Sequence, residues 1–106
     1  MLYVKVRWIH SFLDEPVEIY GELDDEHQEI RKVEIFPDGF IGFASATEET
    51  AVTLRSEGPW PPLEEIASDP QFRPKQISKE AFERLWEKRL GLPRRAPLTL
   101  RPGKKR

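Results

Sequence analysis

Two segments near the start of the chain alternate between apolar and polar side chains with a period of two. The first, Leu2 to His10, places four apolar side chains on one side: Leu2, Val4, Val6 and Trp8. The second, Val17 to Leu23, repeats the pattern around Gly21. Such alternation is typical of half-buried β-strands, and a glycine inside one indicates a bulge or a close backbone approach. The chain therefore begins with two predicted strands.

A hydrophobic hairpin is predicted next. Its turn is Pro37-Asp38-Gly39, in which proline presets φ and glycine supplies positive φ. The strands on either side run from about 28 to 36 and from 40 to 44. We expect both to belong to the same sheet.

The middle of the chain is less regular. Residues 50–54 predict a fifth short strand, and the proline-rich segment 56–62 predicts a loop. Residues 63–67 predict a helical turn that starts after Pro62. Pro74 is assigned to a connection.

The clearest helix is predicted over Ser78–Leu90. Ser78 is a preferred N-cap residue, and Ile77 and Phe82 occupy the positions of a hydrophobic staple. Gly91 stands where a glycine cap is expected. The apolar stripe of this helix comprises Phe82, Leu85, Trp86 and Leu90.

Strands followed by a helix predict an α+β fold. We expect an antiparallel sheet of four to five strands with the C-terminal helix packed on one face and the other face wet. Trp8 and Trp86 are then expected in one core. Residues 1–92 form the predicted domain, and residues 93–106 form a basic, flexible tail.

The charge is unevenly distributed along the chain. The 106 residues carry a net charge of −2. Residues 1–92 contain 11 basic and 19 acidic side chains, for a net charge of −8, whereas residues 93–106 contain six basic side chains and no acid. The sequence thus predicts an acidic body with a basic tail.

Few residues suit catalysis or metal binding. The chain has no cysteine and two histidines, His10 and His27, which are too few for a zinc site. No nucleophile motif or phosphate loop is present. We expect no cofactor, no metal and no catalytic site. The missing cysteines and the lack of a long apolar segment favour a cytoplasmic protein.

The segment from Asp14 to Glu34 holds nine acids against two bases, Arg31 and Lys32. A concentrated negative surface can steer and bind a basic partner. We therefore expect a protein-binding role on an acidic sheet face, with these candidate contacts: Glu18, Tyr20, Glu22, Asp24, Asp25 and Glu26. A simpler alternative is that Lys5 and Arg7 neutralise Glu18 and Glu22 across the paired strands.

Two other functional classes stay open. A small enzyme would combine His10 with nearby carboxylates, although acids this abundant form close pairs by chance. A nucleic-acid accessory protein would bind through Arg94-Arg95 and Lys104-Lys105-Arg106, because phosphate neutralisation drives such binding. The tail has no aromatic residue for base stacking.

Several segments together resemble an uncharacterised bacterial domain family of small proteins. The resemblance covers about residues 2–90 and rests on Tyr3 to His10, Glu15 to Tyr20, Glu22 to Asp24, Arg31 to Phe36, Asp38-Gly39, Ile41-Gly42, Pro62 to Ile66 and the Ile77 to Trp86 helix. The family has no known function, so the resemblance implies no activity. Some stand-alone families of this size are immunity proteins, which makes an immunity-type inhibitor of a basic toxin one form of the expected binding role.

Overall fold

A computed structural model describes residues 1–50 and 53–89 of the chain. They form a five-stranded antiparallel sheet with two helices, which confirms the predicted α+β class. The strand order is β4-β3-β2-β1-β5. The elements are β1 (Leu2–Trp8), β2 (Glu18–Leu23), β3 (Glu29–Ile35), β4 (Ile41–Ala44), α1 (Leu63–Ala67), β5 (Phe72–Gln76) and α2 (Lys79–Lys88).

The fifth strand is not the one that the sequence predicts. It is Phe72–Gln76, which pairs antiparallel with β1, whereas Thr50 and Thr53 form only an isolated bridge. Residues 51 and 52 of the predicted strand lie outside the described residues. The assignment of Pro74 to a connection is therefore wrong.

The position of β5 explains how a strand can contain Pro74. Ile9 N donates to Gln71 O, and Ile77 N donates to Tyr3 O. Because bonded and non-bonded pairs alternate along an antiparallel ladder, these two bonds show which pairs between them exchange hydrogen bonds. Pro74 lies opposite Val6, in a pair that exchanges none, so its nitrogen faces the open edge of the sheet. Proline is tolerated there because no ladder donor is lost.

Helix α2 packs on one face of the sheet, as predicted. Phe82 is fully buried and forms a cluster with Tyr3 and Val33. Ser78 caps the helix by accepting a hydrogen bond from Ala81 N at 3.0 Å. The staple residue Ile77 packs against the same cluster. Leu90 and Gly91, at the predicted end of the helix, lie outside the described residues.

The opposite face of the sheet is covered as well, which corrects the expectation of a wet face. Val4, Val6 and Leu23 form a second buried cluster there. Partly buried apolar side chains from the loop, α1 and β5 cover it: Trp60, Leu63, Ile66 and Phe72. The sheet is therefore the middle layer of the domain.

This arrangement also corrects the expectation of a shared tryptophan core. Trp86 packs against Phe43 and Phe82 on the α2 face. Trp8 packs against His10 and Phe72. The two indoles belong to different packing groups because β1 points alternate side chains to opposite faces.

The predicted basic tail, residues 93–106, lies outside the described residues. Within residues 1–50 and 53–89, neither helix is long and apolar enough to cross a membrane.

Candidate functional site

Glu22, a central member of the predicted acidic surface, is buried beneath α2. Its residue exposure is 7%. Arg31 Nε donates to it at 2.6 Å and Tyr3 Oη at 2.9 Å, while Arg31 also bonds Glu83 of α2 at 2.7 Å. Burial opposes ionisation of Glu22, but the hydrogen bonds from Arg31 and Tyr3 keep its pKa below the usual value. Glu22 thus joins the helix to the sheet through Arg31, and its burial offers little surface to a partner.

Glu18 and Tyr20 lie on the same sheet face as Glu22, and Tyr20 packs against the cluster of Tyr3, Val33 and Phe82. The Tyr20 hydroxyl donates to Glu18 at 2.7 Å, and Lys5 Nζ lies 3.6 Å from the same carboxylate. Burial and this hydrogen bond raise the pKa of Tyr20. The Lys5–Glu18 pair matches the neutralisation alternative, whereas the counterion of Glu22 is Arg31 of β3.

The last three candidate residues lie in the turn between β2 and β3. Asp24 accepts hydrogen bonds from the backbone N–H groups of Glu26 and Gln28 and so organises the turn. Asp25 and Glu26 are exposed. The six candidates therefore do not form one continuous acidic surface, and a binding role for the exposed ones stays a prediction.

His10, the candidate catalytic base, is engaged by main-chain groups on both ring nitrogens. Phe12 N–H donates to Nδ1 at 2.9 Å, which places the ring hydrogen on Nε2, the atom 2.8 Å from Pro16 O. The imidazole thereby shapes the loop between β1 and β2. Among the described residues, no group of three or more metal-ligating side chains converges.

A better candidate site lies on the other face, beneath residues 53–61, which we name the strap. The strap crosses the sheet where Trp60 lies on Gly21 of β2. A Cβ atom added at Gly21 would stand 2.7 Å from the Trp60 ring, so only glycine admits the indole. The close approach predicted at Gly21 is present, with a side chain instead of a backbone as the neighbour.

Glu29 is the main anchor of the strap. Its buried carboxylate accepts hydrogen bonds from Ser56 N at 2.6 Å and from Trp60 Nε1 at 2.8 Å. Lys32 Nζ lies 3.5 Å away and also donates to Leu54 O at 3.0 Å. A buried carboxylate is stable only when it is paired in this way.

A second anchor joins the start of the strap to β3. The Thr53 hydroxyl donates to Glu34 at 2.9 Å. Thr53 is 1% exposed and sits against Gly42, where an added Cβ would stand 2.1 Å from its hydroxyl oxygen. Thr53 therefore fixes one oxygen of Glu34 at the base of the groove.

The strap, α1 and β5 enclose a groove of about 440 Å³ on this face. Its floor is Val6 and Ile19 of the sheet. Its walls are mainly apolar, and its ionisable residues are a lysine and three acids: Lys32, Glu34, Glu65 and Asp69. The groove is thus an apolar slot with a charged lining.

A second hollow of about 370 Å³ adjoins the groove and shares Ile19 and Glu34 with it. It lies between Trp8 and Phe36, and Asp14 and Glu15 add two exposed carboxylates to its lining. The two hollows together place five carboxylates around one apolar floor.

The charges of the groove are unbalanced. Lys32 is its one basic residue among those that the structure describes, and it is already bonded to the strap and Glu29. Burial raises the pKa of Glu34, while Lys32 and the Thr53 hydroxyl act in the opposite direction. A cation bound near Glu34 would lower the free-energy cost of ionising this carboxyl, because it would favour the charged form.

The sequence interpretation missed the groove. One signal pointed to it: Trp60 is flanked by prolines in a segment too polar to bury itself, and Gly21 marks a place on the sheet where a ring fits. Glu29 and Glu34 were counted as surface charge, although both serve the strap.

Comparison with known proteins gives a family and no function. No curated protein and no solved structure matches the chain. Residues 2–91 match a domain family described as a domain of unknown function, DUF6881. The match spans most of the 106 residues and includes every described element. The chain therefore belongs to the DUF6881 family.

Proposed function

We propose that the chain is a non-enzymatic protein-binding domain that receives a basic, partly apolar segment of another protein in the groove beneath the strap. The observation that supports this is an apolar floor surrounded by carboxylates. Lys32, the one lysine that the described part of the chain places beside them, is already bonded.

The shape and polarity of the groove suit a lysine or arginine side chain. The methylene stem of such a residue would lie on Val6, Ile19 and Ile66, which line the slot. Its charged end would reach Glu34 or the exposed carboxylates at the mouth. Long basic side chains commonly bury an apolar stem while the charged end stays near water or a counterion.

The mouth carries the electrostatic part of the proposal. Glu65 and Asp69 are exposed on one side of the slot, and Asp14 and Glu15 are exposed beside the adjoining hollow. Carboxylates at the rim of a site raise association rates with a cationic partner, especially at low salt. This keeps the expected basic partner and moves its contact surface from the α2 side of the sheet to the strap side.

The contacts of His10 and Glu34 suit a binding role better than a catalytic one. His10 is held by Phe12 and Pro16, and within the described residues it forms no ion pair with a carboxylate. Glu34 is bonded to Thr53, which serves the strap. An immunity-type inhibitor of a basic toxin is a specific form of this proposal, and a toxin gene beside the coding sequence would support it.

The test is a titration of the full chain with an eight-residue peptide of alternating lysine and leucine. Binding is monitored by NMR at two salt concentrations. The test variant combines Glu65→Gln with Asp69→Asn, which keeps the Asp69 turn while removing two rim charges. The matched control combines Glu80→Gln with Glu87→Gln on exposed positions of α2.

We expect shifts at the strap amides and at Ile19, with binding at least fivefold weaker in the rim variant than in the control at low salt. A peptide of alternating glutamate and leucine should cause no shifts there. Equal affinity of the two variants, or shifts confined to the α2 face, would show that the groove is not the binding site.

A further inference from the structure

The side of β1 and β5 that faces away from the groove carries four cations in register. Antiparallel pairing places Lys5 directly opposite Lys75 and Arg7 directly opposite Arg73. Both are pairs that exchange hydrogen bonds, in which the Cα atoms are about 5.5 Å apart. We name these four residues the basic quartet.

Most of the quartet is exposed and without a counterion. Arg7, Arg73 and Lys75 are exposed, and none of the three forms an ion pair within the part of the chain that the structure describes. Lys5 is the exception, with Glu18 at 3.6 Å. Glu18 lies directly opposite Arg7 on β2 and borders the quartet on that side. The quartet is therefore a local positive surface on a chain whose residues 1–92 have a net charge of −8.

The register itself is unfavourable for stability. Like charges directly opposite each other on paired strands destabilise a sheet. An acid at position 73 or 75 would instead form an ion pair with Arg7 or Lys5. Glu18, which is opposite Arg7 and paired with Lys5, offsets part of this repulsion, and an anionic partner that binds Arg73 and Lys75 would relieve the rest.

We propose that the basic quartet binds an extended acidic segment of a partner protein. In an extended chain the side chains on one face repeat about every 6.8 Å, the same repeat that separates Lys5 from Arg7 and Arg73 from Lys75. Carboxylates at alternate positions of such a segment would therefore have the same spacing as the cations of the quartet. Arginine adds geometric selectivity, because its guanidinium binds carboxylates with two parallel hydrogen bonds.

The segment would lie across the face of the sheet and not along its edge. Addition of a strand to β5 needs backbone donors on the open side, where Pro74 has none. The next outward donor, Phe72 N–H, is already bonded to Asp69 O at 2.9 Å. Gln76, at the end of β5, is left as the third outward position, so the face is the more complete binding surface of this strand.

An acidic peptide fits the surroundings of the quartet better than a nucleic acid does. Tyr20, the aromatic ring beside Lys5, has its hydroxyl tied to Glu18 and its ring beneath the lysine, with 5.8 Å from Nζ to the ring centre. It is not free to stack on a base. A short segment also avoids the exposed carboxylates of the body, which a long chain of phosphates would approach.

This inference is independent of the proposed groove. Val6 and Phe72 point into the groove, whereas their neighbours Arg7 and Arg73 point to the opposite face. Two oppositely charged surfaces on one thin domain would let it hold a basic and an acidic segment at the same time.

The experiment compares two charge-matched variants of the full chain. One combines Arg73→Glu with Lys75→Glu. The control combines Arg84→Glu with Lys88→Glu, which changes two exposed residues of α2 by the same charge. All proteins keep the same basic residues 93–106, so a difference in affinity between variants cannot come from that segment. The probes are an eight-residue peptide of alternating glutamate and threonine and an eight-residue oligothymidylate, each followed by residue-specific NMR.

We expect the peptide to shift the β1 and β5 amides of the parent and the control, and its affinity to fall at least tenfold in the quartet variant. The quartet variant should also melt at a higher temperature than the control, since its like-charge pairs become ion pairs. Equal peptide affinity in both variants, or no shift at β1 and β5, would overturn the proposal. Tighter binding of the oligothymidylate at these amides would overturn the assignment of a protein partner.

Discussion

The ion pair between Glu22 and Arg31 should dominate the attachment of α2 to the sheet. Their side chains are 9% and 17% exposed, and Arg31 also lies over the rings of Phe82 and Trp86, 5.0 Å from each ring centre. Removing one partner of a buried pair costs about 3–5 kcal/mol, because the other charge stays buried without compensation. We therefore expect Arg31→Met to lower the free energy of unfolding by about that amount.

The milder substitution Glu22→Gln should cost less, about 1.5–3 kcal/mol. It keeps the shape and an acceptor for Tyr3, and Arg31 retains its bond to Glu83. For a domain of about 5 kcal/mol total stability, Arg31→Met would retain only about 0–2 kcal/mol and would unfold at very low urea. The charge reversal Glu22→Lys, which an acidic-face hypothesis would use as a binding test, would unfold the chain instead of testing binding.

The assay is urea unfolding of parent and variants, with Glu83→Gln as the control, since the Glu83 side chain is 37% exposed and its pair should be worth about 0–1 kcal/mol. The pKa of Glu22 is lower in the folded chain, so its contribution is complete above the unfolded value of about 4.3. That contribution is lost as the pH falls through the folded pKa, and the difference between parent and Glu22→Gln should shrink in acid. Equal losses for Arg31→Met and Glu83→Gln would refute this reasoning.

Two further predictions concern the packing on each face. Phe82→Ala should cost about 3–5 kcal/mol in urea unfolding, because the ring is fully buried and its removal leaves a cavity; a loss below 1 kcal/mol would mean that α2 does not cover the sheet. Gly21→Ala should lower stability by about 1–3 kcal/mol and shift the Trp60 indole resonance, because the new methyl group meets the ring. An unchanged spectrum would show that the strap is not seated on β2.

The elements that the sequence predicts well are those whose local signals agree. In α2, the cap at Ser78, the staple residue Ile77 and the apolar stripe all indicate the same helix, and the structure contains it. The alternation in β1 and β2 likewise appears as paired strands. Consistency between local propensity and tertiary packing makes such elements predictable.

The elements that escaped prediction depend on tertiary position. Pro74 argues against a strand in any local interpretation, and only an edge position beside β1 makes it acceptable. The basic quartet escaped for the same reason, since Arg73 and Lys75 have no strand register until β5 is known. Glu22 and Glu29 looked like surface acids because the segments that cover them lie far along the chain. Helix α2 is tied to Arg31, the counterion of Glu22, and the strap is bonded to Glu29.

In the strap, the residues that attach it to the sheet are different from the residues that it exposes to solvent. Thr53 and Trp60 fix its two ends against the sheet, and Ser56 ties its middle to Glu29. The exposed positions 55 and 57–59 lie between these attachments, and 58 and 59 line the groove. A change of side chain at these positions would remodel the mouth while leaving the hydrophobic layers intact. The fold therefore offers a route by which relatives could diverge in partner choice through a few loop substitutions, with little effect on stability.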